Sequence, residues 1–241
     1  MSNPTRTVRK TLYGKYCISG HGMLTSLAIS VIDSDIGPNA GRPILSCGME
    51  SGSVIFFDTS TGSRSYSEAC FSLGKNPVLT LDQLPSVSSH ADKRLNRSKK
   101  GTLSVQSDSN ALLVAAGMAG DADEMIDAGC GVLFKTTHCY RHHLKNPTWN
   151  FVQRARLSTC RSSHGKPGVS ICRFRPNDGR LLAIGGWDFR IRLFERSKGK
   201  PMAILKGNEG SIADLDWAPD APTSGLLASA TRNGKSISLW Q

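Results

Sequence analysis

A short apolar run, a tight polar turn and a second short apolar run recur along this chain, and that recurrence narrows the folds open to it. The clearest copy is Gly179-Arg180-Leu181-Leu182-Ala183-Ile184-Gly185-Gly186-Trp187-Asp188-Phe189-Arg190-Ile191-Arg192-Leu193-Phe194. Here Leu181 to Ile184 can pair with Ile191 to Phe194 across a turn centred on Trp187-Asp188. About 46 residues later, from Phe194 to Trp240, the pattern returns. Leu226-Leu227-Ala228-Ser229-Ala230 leads into a turn at Arg232-Asn233-Gly234-Lys235, then Ile237-Ser238-Leu239-Trp240. Such runs are bounded by Gly, Asn and Asp, and no window sustains a 3.6-residue period, so they read as strands and the chain as all-β.

Two more copies lie upstream. Ile44 to Gly48 and Val54 to Asp58 flank the turn Met49 to Ser53, and Ala111 to Gly117 is followed, after a long turn, by Val132-Leu133-Phe134. The strand ends fall at Phe57, Phe134, Phe194 and Trp240, spaced by about 77, 60 and 46 residues. A unit of roughly 40–45 residues with four short strands is the signature of a WD-repeat β-propeller, in which extra length goes into loops. Gly20-His21 before the first unit is a Gly-His pair at the spacing such units use. Gly 24 and Pro 11 suit a fold so rich in turns.

Propellers have four to eight blades. Four units therefore predict either a small ring or an incomplete seven-bladed one, and the second is the expectation for 1–241. The last unit stops at Gln241 after its third strand, and Thr11 to Cys17 could supply an outer strand. Residues 85–110 are rich in Ser, Lys and Arg and poor in large apolar groups, which predicts a disordered basic insertion loop. It carries Lys93, Arg94, Arg97, Lys99 and Lys100, a candidate nuclear-import or nucleic-acid patch.

Lys+Arg 30 against Asp+Glu 19 leaves a formal charge of +11, which favours acidic partners of any kind. The seven cysteines form no C-x-x-C pair, and several sit in strand-like runs, so reduced thiols in a cytosolic or nuclear compartment are expected. The first ten residues are followed by no apolar signal-like segment. The longest apolar run, Ala111 to Ala119, falls well short of the ~20 residues needed to cross a bilayer.

Asp188 reads as a turn-fixing residue. In WD blades this Asp is tied to a His in the preceding loop, a hydroxyl on the second strand and a Trp on the third. His164 precedes Asp188 at a workable distance, but Ile184 stands at the hydroxyl position and Phe194 at the Trp position. In the last unit Asn208 replaces the His, while Trp240 is kept. His21, His164, Asp188 and Trp240 are thus the expected structural blade residues. A catalytic Asp188–His164 pair lacks a nucleophile placed with it. His138-Cys139-Tyr140-Arg141-His142-His143 offers metal donors, yet Arg141 and Lys145 crowd it with positive charge and no second Cys/His pair stands at finger spacing. Asp121 to Asp127 fails as a calcium loop, having Ile126 where Gly is needed and Val132 where Glu is needed. No phosphate-loop, dinucleotide, nucleophile-elbow or zinc-protease motif occurs. No catalytic residue, metal site or cofactor is expected.

The block Gly185-Gly186-Trp187-Asp188-Phe189-Arg190-Ile191-Arg192-Leu193-Phe194, with Pro201 to Leu205 and the closing Ile237-Ser238-Leu239-Trp240, resembles the ASTRA-associated protein 1 family of WD-repeat proteins, related to the animal G-protein β-subunit-like protein. The likeness covers roughly the last 80 residues. It implies a seven-bladed, non-catalytic, cofactor-free nuclear scaffold in the ASTRA assembly, tied to chromatin remodelling and to maturation of phosphatidylinositol-3-kinase-related kinases. Implied partners are the Tel–Tti co-chaperone proteins and associated ATPases. Missing blades mark this chain as a shortened member. The competing readings are a nucleic-acid-binding propeller acting through the basic loop, and a G-protein β-like signalling adaptor. The latter is weakened because residues 1–20 lack the heptads of a coiled coil.

Overall fold

The computed structural model describes residues 20–32, 42–58, 68–85, 111–118, 131–139, 148–157, 168–176, 178–196, 199–219, 225–234 and 236–241. Every regular element among them is a β-strand, and no helix there is long and apolar enough to cross a membrane.

The strands form four antiparallel sheets in chain order. The first holds β1 (Leu24–Ile32), β2 (Arg42–Met49), β3 (Ser53–Asp58) and β4 (Glu68–Ser72). The second holds β5 (Val78–Pro85), β6 (Ala111–Met118), β7 (Gly131–Cys139) and β8 (Thr148–Leu157). The third holds β9 (Val169–Phe174), β10 (Leu181–Gly186), β11 (Ile191–Glu195) and β12 (Lys200–Leu205). The fourth holds β13 (Ile212–Trp217), β14 (Leu227–Thr231) and β15 (Ile237–Trp240). Each is a meander of neighbouring strands, and the first strand of each sheet lies against the first strand of the next. This is the blade arrangement of a β-propeller, as the repeat predicts.

The core is divided among the junctions between sheets. Ile44, Val54 and Phe56 meet Val78, Leu81, Val114 and Met118 between the first and second. Ala115 and Leu157 meet Cys172, Phe174, Leu182 and Phe194 between the second and third. Ile171, Ala183 and Ile191 meet Ile212, Leu215, Trp217 and Leu227 between the third and fourth. A separate cluster of Cys47, Met49, Ile55 and Phe57 occupies the other face of the first sheet.

The first strands share one register. Each departs from regular pairing near its start: Leu24/Ser26 in β1, Val78/Thr80 in β5, Val169/Ile171 in β9 and Ile212/Asp214 in β13. Aligned on this irregularity, Leu24 corresponds to Val78, Val169 and Ile212, and the paired second-strand positions are Gly48, Gly117, Gly185 and Ala230. These three glycines are notches. A Cβ at Gly48 would run into Val78, one at Gly117 into Val169, and one at Gly185 into Ile212. Each junction therefore seats a β-branched side chain of one sheet over a glycine of the sheet before it, which permits close backbone approach.

Polar bonds reinforce these seats. Thr25 Oγ1 lies 2.8 Å from the Gly48 carbonyl oxygen and 2.5 Å from that of Val78, so its one proton can serve either. Ser170 Oγ stands in the same relation to the Gly185 and Ile212 carbonyls. At the middle junction Asp82 accepts the N–H of Gln83 through Oδ1 at 2.9 Å and that of Phe174 through Oδ2 at 2.7 Å. At the first, Gln83 Nε2 donates to the Ile44 carbonyl at 2.8 Å, and Ser46 Oγ donates to Gln83 Oε1.

Candidate functional site

The two C-terminal sheets carry most of the residues singled out in the sequence, and their turns are tied together. Asp188 sits in the β10–β11 turn, buried, and its carboxylate takes two bonds from the Arg192 guanidinium: Nη1 to Oδ1 at 3.0 Å and Nη2 to Oδ2 at 2.6 Å. Both side chains are 4% exposed. Gly186 makes room for the carboxylate, since a Cβ there would strike Asp188 Oδ1. The turn also places Phe189 in the left-handed region at φ 66°, where the corresponding turn residues of the first and last sheets are Gly52 and Gly234. Its tightness comes from this conformation together with the Gly186 N–H bond to the Arg190 carbonyl at 3.0 Å.

Sequence reasoning assigned Asp188 to the turn and expected His164 as its partner. His164 lies outside the described residues, and among those described the partner is Arg192. A readable signal existed: a cation four residues on, directly after the turn, returns to the carboxylate when the two strands pair.

The last sheet builds a different network. Trp240 Nε1 donates to Ser229 Oγ at 2.9 Å, and Ser229 Oγ donates to Asn208 Oδ1 at 3.1 Å. Asn208 Nδ2 then reaches the Phe189 carbonyl of the neighbouring turn at 3.4 Å. Ser211 Oγ donates to the Trp187 carbonyl at 3.3 Å, a second tie between the same two turns. Asn208 thus accepts the Ser229 hydroxyl and donates to the next turn, with Trp240 closing the chain. Ser229 was missed in the sequence, although it occupies the second-strand hydroxyl position that Ile184 fills in the third sheet.

His21 is half-buried just before β1. The basic patch Lys93, Arg94, Arg97, Lys99 and Lys100 lies outside the described residues, and Pro85 is the last residue of β5. His138 and Cys139 close β7, whereas His142 and His143 fall outside the described residues. Among the described residues no group of three His, Cys, Asp or Glu side chains is placed to hold a metal ion.

The electrostatics of the described part are structural. Burial pushes the Cys47 thiol up to about 11 and the Cys172 thiol up to about 12, so both stay protonated at neutral pH and are poor nucleophiles. Cys70 is free and exposed. Burial also raises the Asp82 carboxyl, against the lowering effect of the Phe174 N–H and of Arg173. Asp178 moves the other way, held down chiefly by its hydrogen bond from Arg175.

No family model matches the chain. Part of it is 36% identical, over 74 residues, to the mouse guanine nucleotide-binding protein subunit beta-like protein 1, covering 31% of this chain and 21% of that protein. Ribosome assembly protein 4 of Chaetomium thermophilum is 35% identical over 66 residues, covering 27% and 13%. A probable cytosolic iron-sulfur protein assembly protein 1 of Cryptococcus neoformans is 35% identical over 81 residues, covering 27% and 18%. The chain thus spans about a fifth or less of each relative. The four meander sheets and these partial matches support a WD-repeat β-propeller, and they single out no subfamily within it.

Proposed function

We propose that the chain is a non-catalytic scaffold subunit of the ASTRA assembly, acting in the nucleus in chromatin remodelling and in co-chaperoning phosphatidylinositol-3-kinase-related kinases. The observation that carries this reading is the Gly185–Phe194 block, whose turn is locked by Asp188 and Arg192 and fastened to the last sheet through Asn208. It is the part of the chain that most resembles the ASTRA-associated family. Similarity to a mouse protein named as a G-protein β-like subunit, and to two fungal proteins named for assembly, supports a role in holding other proteins together. WD propellers serve this role by offering rigid loop surfaces on a fixed disc. The partners in this reading are the Tel–Tti co-chaperone proteins and associated ATPases.

The test is affinity purification of the tagged chain from nuclear extract at physiological salt. Tel–Tti proteins and ATPase subunits are expected among the co-purifying proteins. Recovery without either would sink the ASTRA assignment while leaving a general scaffold role intact. A second reading, nucleic-acid binding through Lys93 to Lys100, is motivated by the net charge of +11. It requires a mobility shift that weakens steeply with salt and is lost when those five basic residues are neutralised.

A further inference from the structure

At the end of the third sheet away from the Asp188 turn, two arginines stand opposite each other. β10 and β11 pair with Leu182 opposite Phe194 and Leu181 opposite Glu195. One step further the same register sets Arg180 opposite Arg196, and the Arg196 N–H donates to the Arg180 carbonyl at 2.8 Å. Alternation along the strands puts both side chains on the face that holds Leu182 and Phe194, at the mouth of the junction with the second sheet. Like charges directly opposite across an antiparallel pair destabilise it. Arg180 is exposed and Arg196 half-buried, and among the described residues neither guanidinium is paired with a carboxylate.

The nearest carboxylate in the turn is already occupied. Asp178 accepts Arg175 Nε through Oδ1 at 2.9 Å and Arg175 Nη2 through Oδ2. Its Oδ1 also accepts the Arg180 N–H at 2.9 Å. Arg175 thus neutralises Asp178, and Asp178 fixes the backbone from which the Arg180 side chain leaves. The Gly179 N–H closes the turn on the Arg175 carbonyl at 2.9 Å. Gly179 sits at φ 55°, and a Cβ there would come within 2.9 Å of Leu84 Cδ1 and 3.0 Å of Arg196 Nη1. The Arg196 head therefore lies against the turn, over the residue next to Arg180, in space that the missing side chain leaves. A cation seated in this way gives up less freedom when it closes on a ligand.

We propose that Arg180 and Arg196 together bind a phosphate monoester on a partner protein, the side chain of a phosphorylated serine or threonine. Each guanidinium fork matches phosphate oxygens two at a time. A phosphate monoester carries close to two negative charges at neutral pH, one for each arginine. Nucleic acid fits this place less well. Its phosphates carry one charge each and need cations spaced along a path. Here the cations are gathered on one turn, and β13, the first strand of the adjoining sheet, carries exposed Asp214 and Asp216. The proposal is independent of the ASTRA assignment, since it is read on the purified chain with no other subunit present.

Fluorescence polarisation of the full chain tests it. The probes are labelled peptide pools with a fixed central phosphoserine or phosphothreonine and randomised flanks, the same pools unphosphorylated, and a labelled DNA duplex. A phosphorylated pool is expected to bind, its unphosphorylated twin about tenfold weaker or worse, and inorganic phosphate to compete. Arg180→Ala and Arg196→Ala should each weaken binding by about tenfold or more, with circular dichroism unchanged. Arg196→Lys keeps the charge but loses the fork, and should recover only part of the affinity. Lys206→Ala removes an exposed cation at the other end of the sheet and should leave binding as it was. Affinity should rise from about pH 5.5 to 7.5, as the phosphate loses its second proton near 6. Equal binding of phosphorylated and unphosphorylated pools overturns the proposal, as does binding by neither. An equal loss with Lys206→Ala would reduce the effect to net charge and overturn it too. Duplex binding that needs Arg180 and Arg196, without phosphopeptide binding, would make this a nucleic-acid contact instead.

Discussion

Arg192 reaches back over four residues to grip both carboxylate oxygens of Asp188, and the pair lies almost wholly out of water. A buried pair is fragile in one respect, because losing either partner strands the other charge. Asp188→Ala should destabilise the protein by about 3–5 kcal/mol in urea unfolding. Asp188→Asn combined with Arg192→Met should cost less than the two single changes added together. Full additivity would show that the two side chains do not depend on each other.

The glycine seats make a sharper steric demand. Gly185→Ala sets a methyl group against Ile212 in a packed junction and should cost about 1–3 kcal/mol. Ile212→Ala alone should cost about 2–5 kcal/mol through the cavity it leaves. Combined with Gly185→Ala, the two should cost less than their sum, since the new methyl group occupies part of that cavity. A double-mutant cycle on thermal or urea unfolding checks this, and strict additivity would contradict the seat.

Ser229 serves two neighbours at once, accepting from Trp240 and donating to Asn208. Ser229→Ala leaves a buried amide oxygen and an indole N–H unsatisfied, at about 1–3 kcal/mol for the pair. The loss should also appear as a change in Trp240 fluorescence. Ser229→Thr keeps the hydroxyl and should recover most of the stability.

Asp82 and Asp178 should make opposite contributions to the pH profile. Burial raises the Asp82 carboxyl above its ordinary 3.8, so the folded state holds this proton more tightly than the unfolded one. The stabilising contribution of Asp82 is present below pH 3.8 and is lost as pH rises through the folded value. Asp82→Asn should therefore gain on wild type as pH is raised from 3 toward neutrality, roughly over the interval above its ordinary value. Asp178 is held down by Arg175, so its contribution is present above 3.8 and fades as pH falls. Asp178→Asn should lose ground at neutral pH and converge with wild type in acid. Unfolding free energies across pH 3 to 7, about four units, would show whether the two variants diverge in opposite directions.

The strands that could be read from sequence are the middle ones. β2 with β3, β6 with β7, β10 with β11 and β14 with β15 appeared as paired apolar runs. Leu182 to Gly186 in β10 are buried, whereas β15 leaves Ile237 and Leu239 exposed. The first strands were hidden because they carry polar residues whose partners lie in neighbouring sheets or in the strand's own backbone. Thr80, Asp82 and Gln83 in β5, or Asp214 and Asp216 in β13, look like loop residues until their partners are known. β12 was obscured by exposure, since Lys200, Pro201, Met202 and Ile204 all face water. The same limit applied to the turn. Asp188 was legible from its neighbours, but the role of Arg192 depends on strands pairing with Gly185 opposite Ile191.

Each seat of a β-branched side chain over a glycine belongs to one junction and draws on nothing beyond the two sheets that form it. The free energy of the array is then close to a sum of nearest-neighbour terms. A chain built this way tolerates growth or shortening by whole sheets: one sheet gained or lost at an end changes that sheet's own contribution and one junction, and leaves the remaining seats as they were.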